Sequence, residues 1–290
     1  MRSSRIFIRN FSGSSRCGIK TPRFAKTIAE AGKPPLTESI PITRPFGLDS
    51  PILLNHRTQD AYSISHIKNE LFSAEARERR QRQLDHDIKH SPFYESKSFE
   101  NTKGKIFTPP VSYFRAEKSK HFPDFIGVTV CGSERSLFEI LEGNVTIVRV
   151  YSTVSGENCV NSYFKVDNKN YLTSEYSEFE KEYPMTQIVD VNIPQSWIKG
   201  FIVRMSKSNI RKMIPKERLD KYFVLPDDVF SVQMKEKLNM DNLCSGYIYL
   251  LDSCGRIRWA TSGYANEAEI KLMWKCVKGL QRELASKSGD

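Results

Sequence analysis

Residues 245–263 read Ser245-Gly-Tyr-Ile-Tyr-Leu-Leu-Asp-Ser-Cys-Gly-Arg-Ile-Arg-Trp-Ala-Thr-Ser-Gly263. Tyr247 to Leu251 is an unbroken aromatic and aliphatic run, the pattern of a strand buried on both faces. Arg256, Ile257, Arg258 and Trp259 alternate, as in a strand nearer a sheet edge. Between them Gly255 supplies the positive φ that a tight turn requires. A helix follows from about Glu267 to Leu284, with Ile270, Met273, Val277, Leu280 and Leu284 at 3-4-3-4 spacing. Asn266 and Glu269 are placed to form its capping box. The end of the chain therefore predicts strand, hairpin, strand, helix.

Working outward, Val145-Thr-Ile-Val-Arg-Val-Tyr151 and Thr186-Gln-Ile-Val-Asp-Val-Asn-Ile193 are two further buried strands. Pro194 opens a helical pattern in which Trp197, Ile198, Phe201, Ile202 and Met205 lie opposite Lys199, Arg204, Lys207 and Arg211. Both helical stripes read as core faces on an α/β sheet. The hairpin resembles the last one of thioredoxin-like domains, which implies a central sheet with flanking helices and a C-terminal β-hairpin and helix.

That resemblance directs attention to the redox centre, which follows the first central strand at a helix N-terminus. Here Ser155 and Asn158 occupy the two cysteine positions, and Cys159 falls one place later. The loop before the hairpin, Leu243-Cys244-Ser245-Gly246, lacks the proline that such domains carry there. Cys159 remains the candidate reactive thiol, although Glu157 is expected to raise its pKa.

The chain has 290 residues and a formal net charge of +10. Residues 1–29 contribute seven basic residues and no acid, with Ile6, Phe7 and Phe11 set between arginines. This is the composition of a mitochondrial transit peptide, and Arg9-Asn10-Phe11-Ser12 resembles a matrix-peptidase cleavage site. Subtracting the seven charges leaves +3 for residues 30–290, so the basic pI does not argue for a nucleic-acid partner.

No apolar run approaches the roughly 18–20 residues of a membrane span. The six cysteines, Cys17, Cys131, Cys159, Cys244, Cys254 and Cys276, form no C-x-x-C pair, and the five histidines all precede residue 122. Neither a disulfide framework nor a metal site is expected, and no P-loop, dinucleotide-binding or hydrolase motif occurs. No cofactor, catalytic residue or small-molecule substrate is therefore expected.

Residues 30–64 form a proline-rich arm. Residues 65–124 begin with a highly charged helical pattern, in which Glu75 pairs with Arg79 and Glu78 with Arg82 at i, i+4 spacing. They continue as an aromatic and basic extension. Residues 125–286 form the thioredoxin-like domain, so the extension before it is partly helical and partly irregular. Phe107, Tyr113, Phe114, Arg115, Lys118 and Phe122 are the candidate binding residues, because aromatics interleaved with cations in an irregular segment can form a partner groove. The alternative is that the aromatics fold back and seal the domain.

Three segments carry a family resemblance. They are Thr102-Lys-Gly-Lys-Ile-Phe107 with Phe114-Arg-Ala-Glu-Lys-Ser119 and Phe122-Pro-Asp-Phe-Ile-Gly127; Val148-Arg-Val-Tyr-Ser-Thr-Val-Ser-Gly156; and the hairpin. Arg44-Pro-Phe-Gly47 adds a short Arg-Pro motif. Together they resemble the mitochondrial F-type ATP synthase assembly factors whose founding member is named subunit ten of the ATPase complex. The resemblance implies a non-catalytic chaperone, peripheral on the matrix side of the inner membrane. Its partners would be newly made subunit a and the c-ring. Two rival readings stay open: a thiol oxidoreductase or metallochaperone using Cys159, and a mitochondrial RNA- or ribosome-associated protein.

Overall fold

A computed structural model describes residues 34–54, 92–167, 169–194, 211, 214–226 and 229–288. The transit-peptide reading, the charged helix over 65–90 and most of the helix predicted after Pro194 lie outside the described residues.

The strands are β1 (Ile40–Pro41), β2 (Leu53–Leu54), β3 (Phe107–Thr108), β4 (Asp124–Val128), β5 (Glu134–Ser136), β6 (Val145–Tyr151), β7 (Lys165–Val166), β8 (Lys169–Asn170), β9 (Thr186–Asn192), β10 (Tyr222–Val224), β11 (Gly246–Leu251) and β12 (Ile257–Ser262). The helices are α1 (Pro92–Thr102), α2 (Leu137–Leu141), α3 (Val154–Asn161), α4 (Tyr176–Glu182), α5 (Val232–Lys237) and α6 (Glu267–Ser288). A five-stranded sheet runs β10-β9-β6-β11-β12. Strands β10, β9 and β6 are parallel, and β11 and β12 form the antiparallel hairpin at one side. This order, with α3 after β6 and α6 after the hairpin, is the predicted thioredoxin-like fold.

The unbroken apolar runs follow from a core on each face of the sheet. Val148, Val150, Val189, Val191, Tyr247, Tyr249 and Leu251 point to one side, where Phe122, Phe125, Phe223 and Phe230 fill the layer. Ile147, Ile188, Ile248 and Leu250 point to the other, against Met273, Val277 and Leu280 of α6 and Phe164, Phe179 and Trp274. The predicted α6 stripe is thus the core face. Its capping box is present: the Glu269 amide donates to Asn266 Oδ1 (2.9 Å) and the Asn266 amide to Glu269 Oε2 (3.3 Å). In the hairpin turn Gly255 has φ +73°, and Asp252 Oδ1 accepts from the amides of Cys254 and Arg256.

Strand β12 is at the sheet edge, as expected, but not half exposed. All six of its residues are buried. The segment before β4 runs along its outer side. The Phe114 amide donates to Arg258 O (2.7 Å), the Ile257 amide to Lys120 O (2.7 Å) and the Phe122 amide to Gly255 O (2.9 Å). The backbone groups of an edge strand are thereby satisfied and shielded. Buried Arg258 donates to Phe114 O and to both carboxylate oxygens of Glu283, with Asp252 3.3 Å away, which fastens this segment and α6 to the hairpin.

Candidate functional site

Among the described residues, three places were expected to matter or prove to: the α3 N-terminus, the aromatic extension and a polar cleft. At the first, Thr153 caps α3 by accepting from the Gly156 amide (3.1 Å). The Ser155 hydroxyl, in a cysteine position of thioredoxin-type centres, donates instead to Cys244 O at 2.8 Å. The backbones of Gly156 and Gly246 are in direct contact, which only glycine permits at both positions. Cys159 is in the second half of the helix and fully buried. Burial pushes its thiol up to about 11, against the opposing pull of the Gly246 backbone and the Lys105 ammonium. The expected effect of Glu157 is not the cause of the shift. A reactive thiol requires a depressed pKa and access to solvent, and Cys159 has neither.

Lys105 comes from the extension and is itself mostly buried, and burial lowers its pKa. It meets Glu269 at 2.6 Å and the Tyr163 hydroxyl at 2.8 Å, while Tyr163 is 2.8 Å from Thr261 Oγ1. The extension is thus tied to the start of α6 through the residue that also caps that helix.

The candidate client-binding residues divide by burial. Phe107 and Phe122 are core residues, 2% and 0% exposed. Phe107 stacks on Tyr247, and Phe122 meets Tyr249 and Phe230. They seal the sheet and offer no surface, which corrects their placement among the contact residues. The reason is that both backbones are held against the hairpin, Phe107 through Ser262 Oγ and Phe122 through its amide to Gly255 O, which turns both rings into the core. Tyr113 is half-buried, its ring under the Arg258 guanidinium with the centroid 5.5 Å away. Phe114 is half-buried, and Arg115 and Lys118 are exposed in and before a short 3₁₀ turn. Unlike Phe107 and Phe122, these four keep some exposure.

The cleft was missed by sequence reasoning. It lies at the carboxyl ends of β6 and β9, encloses about 1010 Å³ and is lined by Arg149, Tyr151, Asn161, Asp190, Arg218 and Tyr222, among others. Arg149 and Asp190 are register partners in adjacent parallel strands. Asp190 Oδ1 accepts from Arg149 and Oδ2 from Arg218, and Arg149 also donates to Asn161. Arg218 donates to Leu172 O at 2.7 Å. The Tyr151 and Tyr222 hydroxyls are 3.0 Å apart, and burial raises both pKa values. A legible signal existed: each strand carries a single charge, of opposite sign, inside an apolar run. Among the described residues no group of three or more His, Cys, Asp or Glu side chains could hold a metal ion, and no helix is long and apolar enough to cross a membrane.

Against known proteins, the family model described as ATP10 protein matches residues 26–280. The chain is 33% identical over 245 residues to the mitochondrial ATPase complex subunit ATP10 of Eremothecium gossypii, covering 84% of this chain and 86% of that one. To the mitochondrial ATPase complex subunit ATP10 of Saccharomyces cerevisiae it is 30% identical over 264 residues, covering 89% and 93%. Among solved structures, a putative protein disulfide isomerase from Bacteroides thetaiotaomicron overlays with TM-score 0.37 and 15% identity, covering 62% of this chain and 98% of that one. The fold assignment rests on the strand order and not on that overlay. The match to the family model and to these relatives along most of the chain means that this protein belongs to the ATP10 protein family.

Proposed function

We infer that this chain is a non-catalytic assembly chaperone of the mitochondrial F-type ATP synthase. It holds newly made subunit a and promotes its joining to the c-ring, from a peripheral position on the matrix side of the inner membrane. The observation that carries the reading is the family match over residues 26–280. The acid-free, arginine-rich first 29 residues support import into the matrix. Tyr113, Phe114, Arg115 and Lys118 are the proposed client contact, since they combine partly exposed aromatic area with cations suited to a lipid-proximal client.

The thiol-enzyme and metallochaperone readings are disfavoured by the burial and raised pKa of Cys159. The RNA reading is disfavoured by the +3 that remains beyond the leader. The test is native electrophoresis of ATP synthase from mitochondria that lack the chain. The expected result is a catalytic sector still assembled, with a membrane sector short of subunit a. A complete synthase at normal level would overturn the reading. Re-expression of Cys159→Ser is expected to restore assembly as well as the unaltered chain.

A further inference from the structure

We propose that the cleft at the carboxyl ends of β6 and β9 is a binding site for a small phosphate-bearing anion, held by Arg149 and Arg218. The proposal is independent of the assembly reading and departs from the sequence expectation that no small molecule binds.

The first observation is charge. Two guanidinium groups, each with a side chain 3% exposed, share one carboxylate, Asp190, that is 1% exposed. Asp190 alone is thus in direct contact with two cations in a desolvated place, an arrangement that favours an additional anion close to them. Glu157 lines the same cleft: burial raises its pKa while the Arg149 charge opposes that shift, and among the described residues it makes no ion pair with either arginine.

The second observation is hydrogen bonding. Both arginines spend their terminal nitrogens on protein: Arg149 on Asp190 and Asn161, Arg218 on Asp190 and Leu172 O. Among the described residues each leaves its buried Nε without an acceptor. Buried donors are almost always satisfied, so these two are the exceptions that need a partner. They belong to side chains approaching from opposite oxygens of Asp190. A planar carboxylate is best held by the paired nitrogens of one guanidinium fork, and both forks here are engaged. Separate donors from two directions suit a tetrahedral oxyanion.

The third observation is position. The same cleft takes in Thr153 and Val154 at the N-terminus of α3, where the helix dipole favours negative charge. The carboxyl ends of parallel strands are where open α/β sheets bind ligands. Exposed Lys165 adds a cation at the rim.

The experiment is calorimetric titration of the purified full chain, in phosphate-free buffer of low ionic strength, with inorganic phosphate, glycerol phosphate and acetate at matched ionic strength. Saturable binding of a phosphate probe, a higher Tm in its presence and no binding of acetate are expected. Glycerol phosphate binding more tightly than phosphate would identify an ester as the source, and equal binding the free ion. Arg218→Gln and Lys165→Glu should each weaken binding about tenfold. If Arg218→Gln fails to fold, Lys165→Glu on the exposed rim decides. No saturable phosphate binding, equal binding of acetate, or unchanged affinity in the folded variants would overturn the proposal.

Discussion

The backbones of Gly156 and Gly246 meet so closely that a Cβ on Gly246 would stand 2.1 Å from the Gly156 carbonyl oxygen. The contact joins α3 to the first residue of β11, beside the place where thioredoxin-type enzymes keep a reactive thiol and its facing loop. Ser155 seals the same seam with its hydrogen bond to Cys244 O. A scaffold known elsewhere for redox chemistry is here closed by backbone packing.

Gly246→Ala is therefore expected to destabilise the protein by at least about 1–3 kcal/mol, the usual cost of overpacking, because the obstructing atoms are backbone and cannot rotate away. Urea denaturation followed by tryptophan fluorescence measures it. An unchanged midpoint would mean that α3 and β11 are not in contact.

Asp190→Asn removes the one carboxylate between Arg149 and Arg218 and leaves two buried cations facing an amide. Breaking a buried ion pair from one side costs about 3–5 kcal/mol. The loss should appear as a lower unfolding midpoint with an unchanged denaturant slope.

Phe122→Ala separates core from surface within the extension. The ring is fully buried against Tyr249 and Phe230, so truncation should cost about 3–5 kcal/mol. A loss below about half a kcal/mol, the range of ordinary surface changes, would return the residue to the exposed set.

Alkaline pH should unfold the protein early. Burial raises Cys159 and Cys276 from 9.0 to about 11 in the folded state. Groups held neutral in this way give stability that is full below about 9 and is lost as pH climbs towards 11. Buried Tyr247 and Tyr249 shift in the same direction and extend the loss. Lys105, lowered by burial, opposes it as a single group. Urea midpoints under reducing conditions should fall between pH 8 and pH 10.5, and less so in the Cys159→Ser, Cys276→Ser double variant. A flat profile would contradict the burial of the two thiols.

The strands, the Gly255 turn and the α6 cap were legible because each is written locally, as a period, a glycine or a spacing of three. What segment 102–125 does was not, since its backbone partners are remote in sequence: Arg258, Ile257 and Gly255 lie more than a hundred residues later, and Ile40, Leu48 and Ile52 more than sixty earlier. Without that pairing no period separates Phe107 and Phe122, which enter the core, from Phe114, which stays at its margin. Burial of β12 was hidden for the same reason: its cover comes from the extension. The Arg149–Asp190 pair could have been read from two lone, opposite charges in neighbouring strands. Arg218 could not, because it reaches Asp190 from a 3₁₀ turn with no periodic signal.

The most direct test of the central claim is purification of the tagged chain from mitochondria whose own translation products have been pulse-labelled, with and without charge reversal at Arg115 and Lys118. Both side chains are exposed, so the reversed protein should keep its stability within about half a kcal/mol. The unaltered chain is predicted to bring down newly made subunit a, and the reversed chain much less of it. Recovery of no labelled subunit, or equal recovery by both chains, would contradict, respectively, the chaperone role and the assignment of its contact residues.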